Sequence, residues 1–176
     1  MLGPIIEQQT KPATEWVLGR AVQKMSPRGK HARTQLRIAA ALLAWADRTE
    51  FGRVGTEWDV RIAPPGEERR TLVPDVAVIS YEGIPKNDDR DAEFPIVAPD
   101  VVVEVLSPGE PADYIAEKRR VYLASGSKLV MEADPERESI TLYDATGSRT
   151  LTHEDIIQHS ALPDFSLIVS TIFRRP

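Results

Sequence analysis

Apolar positions along the chain follow two rhythms. Between His31 and about Arg48 they recur at helical spacing, and at about 100° per residue His31, Gln35, Ile38 and Leu42 share one stripe. The seam of this helix therefore opens with an imidazole and an amide. A second helical stretch, "EPADYIAEKRRVYLASG", closes at Gly126. Elsewhere the apolar runs are short and β-branched: "RVGTEWDVRIAP", "TLVPDVAVIS" entered through Pro74, and "APDVVVEVLSPG". "KLVMEAD", "SITLYDA" and "SRTLTH" read as a C-terminal β meander with turns at "PERE" and "TG". "EWVLGRAVQKM" reads as an N-terminal hairpin turning near Gly19, "SPRGK" as a loop, and "YEGIPKNDDRDAEFPIVAP" as a polar connection. "LPDFSLIVSTIF" closes the chain with a short terminal helix. Helix, strands, helix, strands predict an α/β fold with a mixed central β-sheet flanked by helices. Residues 1 to 14 read as a loose lead-in and 15 to 176 as a single domain, long enough for one sizeable core.

Composition narrows this picture. The chain has no cysteine, which excludes disulfides and thiolate metal sites and fits a cytoplasmic protein. Its longest apolar run, Ile38 to Ala46, is far short of a membrane span, and the start lacks the pattern of a secretory signal. The net charge of −5 argues against broad nonspecific binding of nucleic acid. The distribution matters more. From Trp16 to Ala46 there is no acidic residue, whereas Arg20, Lys24, Arg28, Lys30, Arg33 and Arg37 are basic. Such a stretch either attracts phosphates or is an ordinary solvated helix face.

Two strands carry the candidate chemistry. Glu104 stands inside the run Val101-Val102-Val103-Glu104-Val105, where an unpaired buried carboxylate is expensive. Asp75 heads the run "VPDVAVIS". Side by side in a sheet, these acids form hard-oxygen ligands for one divalent cation, since magnesium takes one or two carboxylates plus waters and phosphate oxygens. The competing readings are a core Glu104 paired with an arginine such as Arg119, and an Asp75 serving turn chemistry, as Pro99-Asp100 also does. On the second helix Ile115, Tyr122 and Leu123 define an inward side; Lys118 flanks it and Arg119 falls in its middle. By that wheel Arg119 is as good a phosphate cation as Lys118.

"VPDVAVIS", "APDVVVEVLSPG", "EKRRVYLASG" and "ADPERESITLYD", with "EWVLGRAVQKMSPRGKH" upstream and "LPDFSLIVSTIF" downstream, resemble the Uma-two family of endonucleases. That family is placed in the restriction-endonuclease-like PD-(D/E)XK superfamily, and the likeness runs from about Glu15 onward. The resemblance implies a restriction-endonuclease-like core in which Asp75 and Glu104 are the metal-binding acids. It implies hydrolysis of DNA phosphodiesters with magnesium or manganese. The superfamily's lysine lies two residues after the second acid, where this chain has Leu106; the family takes it from the next helix, at Lys118. Glu15 and His31 match an acid and an imidazole near the site, and Ser107 stands at its mouth. The chain departs from the family in having Met131 where Trp is common, Glu132 in an apolar place, and Tyr114 where an Asp precedes the lysine.

On this reading the main-chain carbonyl of Val105 helps to hold the metal and Lys118 positions the water or stabilises the phosphorane. His31 moves a proton or binds phosphate, or else is a satisfied structural residue. Arg28, Lys30, Arg33 and Arg37 track the nucleic-acid backbone. A homodimer would bring two sites to a duplex. The alternative is a catalytically inactive nucleic-acid-binding or scaffold protein on the same fold.

Overall fold

The computed structural model describes residues 13–24 and 28–174. The lead-in, apart from its last two residues, and Ser26 and Pro27 of the expected loop lie outside the described residues.

Strands β1 (Thr14–Val17) and β2 (Arg20–Gln23) form the N-terminal hairpin. Leu18 and Gly19 turn it with φ of 52° and 72°; two left-handed residues match the right-handed twist of the flanking strands. Helix α1 (Gly29–Thr49) buries Thr34, Ile38, Leu42, Trp45 and Ala46; Ile38 and Leu42 belong to the expected stripe, whose first two members, His31 and Gln35, are partly buried. It ends at Glu50, which adopts the left-handed conformation and returns its amide to the carbonyl of Ala46.

Strands β3 (Gly52–Thr56), β4 (Val60–Ile62), β5 (Arg70–Leu72) and β6 (Val76–Ser80) follow. "TLVPDVAVIS", read from the sequence as one strand, is split. Pro74 has no amide to give a ladder, so β5 pairs with β4 while β6 joins the central sheet. Within the polar connection, Asp88 accepts the amide of Asp91 and caps a short helix α2 (Asp89–Glu93), which apolar periodicity could not reveal. Strand β7 (Val101–Val105), helix α3 (Ala112–Ala124) and strand β8 (Leu129–Asp134) form a parallel crossover unit. The meander continues through β9 (Ser139–Asp144) and β10 (Gly147–Thr152). Strands β11 (Ile156–Ile157) and β12 (Leu167–Ile168) pair with each other, and helix α4 (Val169–Phe173) ends the described chain.

The central sheet has six strands in the order β10-β9-β8-β7-β6-β3, and only β7–β8 is parallel among its pairs. The expected meander is thus one wing of the sheet. Successive residues of a strand face opposite sides. Val101, Val103 and Val105 pack with Ile38, Leu42 and Trp45 of α1, whereas Val102 packs with Ile115, Val121 and Tyr122 of α3. Both faces are covered, which is why β7 reads as an unbroken apolar run. Glu104, in step with Val102, points towards α3. Among the described residues no helix is long and apolar enough to cross a membrane.

The α1 face is closed by Trp45, whose ring meets Phe51 at 4.7 Å and Phe165 at 5.9 Å and whose Nε1 donates to the carbonyl of Pro163 at 2.7 Å. Leu42 lies in the same cluster with no exposure. Truncation there opens a cavity that rigid strands cannot collapse. L42A is expected to lower unfolding free energy by about 2–5 kcal/mol in a urea titration.

Candidate functional site

Strands β6 and β7 are antiparallel neighbours in which Val76 stands opposite Val103. Asp75, one residue before β6, therefore comes level with the carboxyl end of β7. Its Oδ2 accepts the amide of Val105 at 2.7 Å and lies 3.2 Å from His31 Nε2. Its Oδ1 accepts from Lys24 Nζ at 2.8 Å, and its main-chain carbonyl from Gln35 Nε2 at 2.9 Å. The imidazole and amide that open the α1 seam thus meet the strand-leading acid. Val105 is engaged here through its amide.

Glu104 answers the problem posed by its own burial. Its Oε1 accepts from Lys118 Nζ at 2.7 Å and from the Tyr122 hydroxyl at 2.9 Å. Lys118 in turn lies 2.8 Å from Glu15 Oε1, which also accepts the amide of Val73 at 2.7 Å. The Tyr114 hydroxyl donates to the other oxygen of Glu15. Glu15 comes from β1, so the hairpin, α3 and β7 meet at one ammonium. That ammonium is almost wholly buried, its side chain 2 % exposed.

The helical wheel placed the centre of α3 wrongly. The buried residues are Tyr114, Ile115, Lys118, Val121 and Tyr122, and Lys118 sits in the middle of them. Arg119, expected there, flanks the stripe; it pairs with Glu132 and stacks on Tyr143, its guanidinium carbon 4.1 Å from the ring centroid. Glu132, the acid in an apolar place, explains the shift. It neighbours Glu104 in register across β7–β8, and each acid draws its own cation from α3. Glu117, on the outer side of α3, is partly covered and paired with Arg70 and Arg120.

Burial and crowded charge set the protonation of the cluster. Burial raises the Glu104 carboxyl, and Asp75 and Glu15 add to that against the pull of Lys118, so it is pushed up to about 8. Burial lowers Lys118, but the charges of Glu104 and Glu15 outweigh it and hold the ammonium well above its usual value. Burial also raises Asp75; the hydrogen bond from His31 and the charge of Lys24 reverse this and hold it well below the carboxylate range.

The other expected residues have partners of their own or stand exposed. Ser107 closes a turn with Glu110, each accepting the other's amide at 3.2 Å through a side-chain or main-chain oxygen. Lys30 pairs with Glu136, and Arg37 donates to the carbonyls of Thr171, Ile172 and Arg174. With Arg33 they line a cavity of about 250 Å³ between α1, α4 and the β8–β9 turn, on another face of α1 from His31 and Gln35. Arg28 is exposed at the start of α1. The sequence reading missed Lys24, Tyr114, Tyr122 and Glu110 as site neighbours. Glu110 is half-buried, and burial, then the charges of Asp75 and Glu15, raise its carboxyl. Lys24 was counted in the basic stretch, and only the hairpin pairing reveals where it points.

Asp75 and Glu104 are a hard-oxygen donor pair that suits magnesium or manganese, which need one or two carboxylates besides water and substrate oxygens. Among the described residues no three His, Asp or Glu side chains gather as a closed metal cage. The buried Nδ1 of His31 has no hydrogen-bond partner, an orphan polar atom on the ring that meets Asp75.

The six-stranded mixed sheet flanked by helices has the restriction-endonuclease-like architecture that the comparisons with known proteins also give. A solved structure described as a putative nuclease belonging to DUF820, from Anabaena variabilis, superposes with a TM-score of 0.84 at 22% identity, covering 95% of this chain and 93% of that one. The family model described as "Uma2: Putative restriction endonuclease" matches residues 4–170, and the chain belongs to that family. No curated protein matches it.

The raised Glu104 carboxyl makes a signed prediction. The unfolded chain releases this proton near its ordinary value of 4.5, whereas the folded chain keeps it to about 8. Its contribution to stability is therefore present below 4.5 and lost as pH rises through that window. The amide that E104Q introduces does not titrate, so the melting temperature of E104Q relative to the unsubstituted protein should climb from pH 5 to pH 8. A difference that stays flat over this range would mean that Lys118 keeps Glu104 ionised.

Proposed function

We propose that this protein is a metal-dependent endonuclease that hydrolyses phosphodiester bonds of DNA. The observation that carries the reading is the convergence of Asp75 and Glu104 from adjacent strands, with His31 on the first and Lys118 on the second. Asp75 and Glu104 would hold magnesium or manganese, with the Val105 carbonyl assisting. When bound, the cation polarises the scissile phosphate and lowers the pKa of a bound water.

The chain's own residues do the rest. Lys118, between Glu104 and Glu15, fixes the Glu104 carboxylate and offsets its charge. Tyr122 sets the rotamer of Glu104, and Glu15 and Tyr114 hold Lys118 in turn. His31 gives its Nε2 hydrogen to Asp75, a tautomer assigned from that partner, which leaves Nδ1 as an acceptor for a proton or a water. Arg28 and Arg33, exposed at the start of α1, are cations of the basic stretch offered to the nucleic-acid backbone. Cutting both strands of a duplex uses two such sites, which a homodimer supplies.

The competing reading, an inactive scaffold on the same fold, is favoured by one observation: Lys24 and Lys118 already pair both acids. Cleavage separates the two. The protein should nick or cut plasmid DNA with magnesium or manganese. D75N and E104Q should abolish that, whereas E15Q, which loosens Lys118 and the hairpin without removing a proposed ligand, should lose about 10–100-fold. No cleavage of supercoiled, linear or single-stranded DNA with either metal would sink the enzyme reading.

A further inference from the structure

We infer that Lys24 is a built-in counter-ion which a divalent metal must displace from Asp75, and that Glu57 receives the displaced ammonium. The inference rests on the proposed role of Asp75 as a metal ligand. Three oxygens converge on Lys24 Nζ: Asp75 Oδ1 at 2.8 Å, Glu57 Oε2 at 2.8 Å and the carbonyl of Val73 at 2.9 Å. They do not form a uniform shell. The Asp75 side chain is 3% exposed and that of Glu57 45%, so the ammonium bridges an inner acceptor and an outer one.

The two oxygens of Asp75 are not equivalent either. Oδ2 is fixed by the Val105 amide and lies against His31 Nε2. Oδ1 is therefore the oxygen a cation can win, and Lys24 is on it. Two cations at contact distance on one carboxylate oxygen repel strongly, so metal and ammonium exclude each other there. The swing needs no refolding of the hairpin. The Lys24 amide stays bonded to the Ala13 carbonyl at 2.9 Å, and its flexible four-carbon stem carries the charge. Glu57 is already poised as the outer acceptor, because Gln35 Nε2 bonds both its Oε1 and the Asp75 carbonyl at 2.9 Å. Lys24 is thus a positioning residue that sets the threshold for metal entry.

The test is calorimetric titration of the full chain with manganese chloride alone, comparing the unsubstituted protein with K24M, E57Q and the double variant. Thermal unfolding confirms that each is folded, and K24Q replaces K24M should the latter not fold. K24M should bind Mn2+ at least about tenfold tighter, and E57Q about threefold weaker. In the K24M background E57Q should change nothing, because Glu57 acts through the lysine. K86M, which removes an exposed charge elsewhere, should match the unsubstituted protein. Equal Mn2+ affinity in K24M and the unsubstituted chain, or a tightening by K86M as large as by K24M, overturns this inference and leaves the proposed nuclease standing. Failure of every chain to bind Mn2+, with no cleavage, overturns the metal reading and this inference with it.

Discussion

One buried ammonium ties the molecule together. Lys118 lies at the centre of the inward face of α3 and bridges Glu15 of the N-terminal hairpin to Glu104 of the innermost strand region. Removing one partner of such a group leaves an uncompensated charge in a low-dielectric interior, at a cost of about 3–5 kcal/mol. The hairpin has little core of its own, with Val17 its one fully buried apolar residue. Its docking therefore depends on Glu15 reaching Lys118, Tyr114 and the Val73 amide. That in turn delivers Lys24 to Asp75. Site geometry and hairpin position are set by the same charges.

The arrangement is expensive for a purely structural device. Well-packed apolar residues of similar volume are commonly as stabilising as a buried ion pair or more so. Here Glu15, Glu104, Asp75, Lys118 and Lys24 all sit between β1, β6, β7 and α3. Glu132 and Arg119, one strand along, show what a self-contained pair looks like. That acid has its own guanidinium and an aromatic ring behind it. The Glu104 cluster differs because three carboxylates share two ammonium groups. The shortfall of positive charge adds to burial in raising the Glu104 carboxyl, and a shortfall of this kind attracts a further cation.

How much of this was legible depended on the range of each interaction. The alternation rules exposed β7 and the acid within it, because a carboxylate between valines violates its surroundings locally. The α1 spacing put His31 and Gln35 on the buried seam, and both meet Asp75. The α3 wheel failed because it was anchored on Leu123, which is only partly buried, instead of Tyr114 and Val121. A lysine at the centre of an inward stripe contradicts hydrophobic patterning; two acids from other elements make it stable, and no local pattern carries that information. The basic stretch resolved only in part for the converse reason. Charge along Arg20 to Arg37 was read as one stretch, but the hairpin and α1 divide it: Arg37 donates to the carbonyls at the end of α4 while Lys24 turns inward.

These long-range pairings also decide which likeness bears on chemistry. At 22% identity the similar solved structure fixes the path of the chain and leaves individual side chains to be argued. In this chain the second acid is followed by Val105 and Leu106, so the lysine cannot arrive along the strand. It arrives instead from α3, packed across the sheet face towards which Glu104 points. A helix-borne lysine approaches the carboxylate from the side, in line with the alternation of β7, so its reach depends on the crossover between β7 and β8. That crossover is parallel, and its helix covers both Glu104 and Glu132. The same topology that buries the acids thus supplies the cations that make burial tolerable.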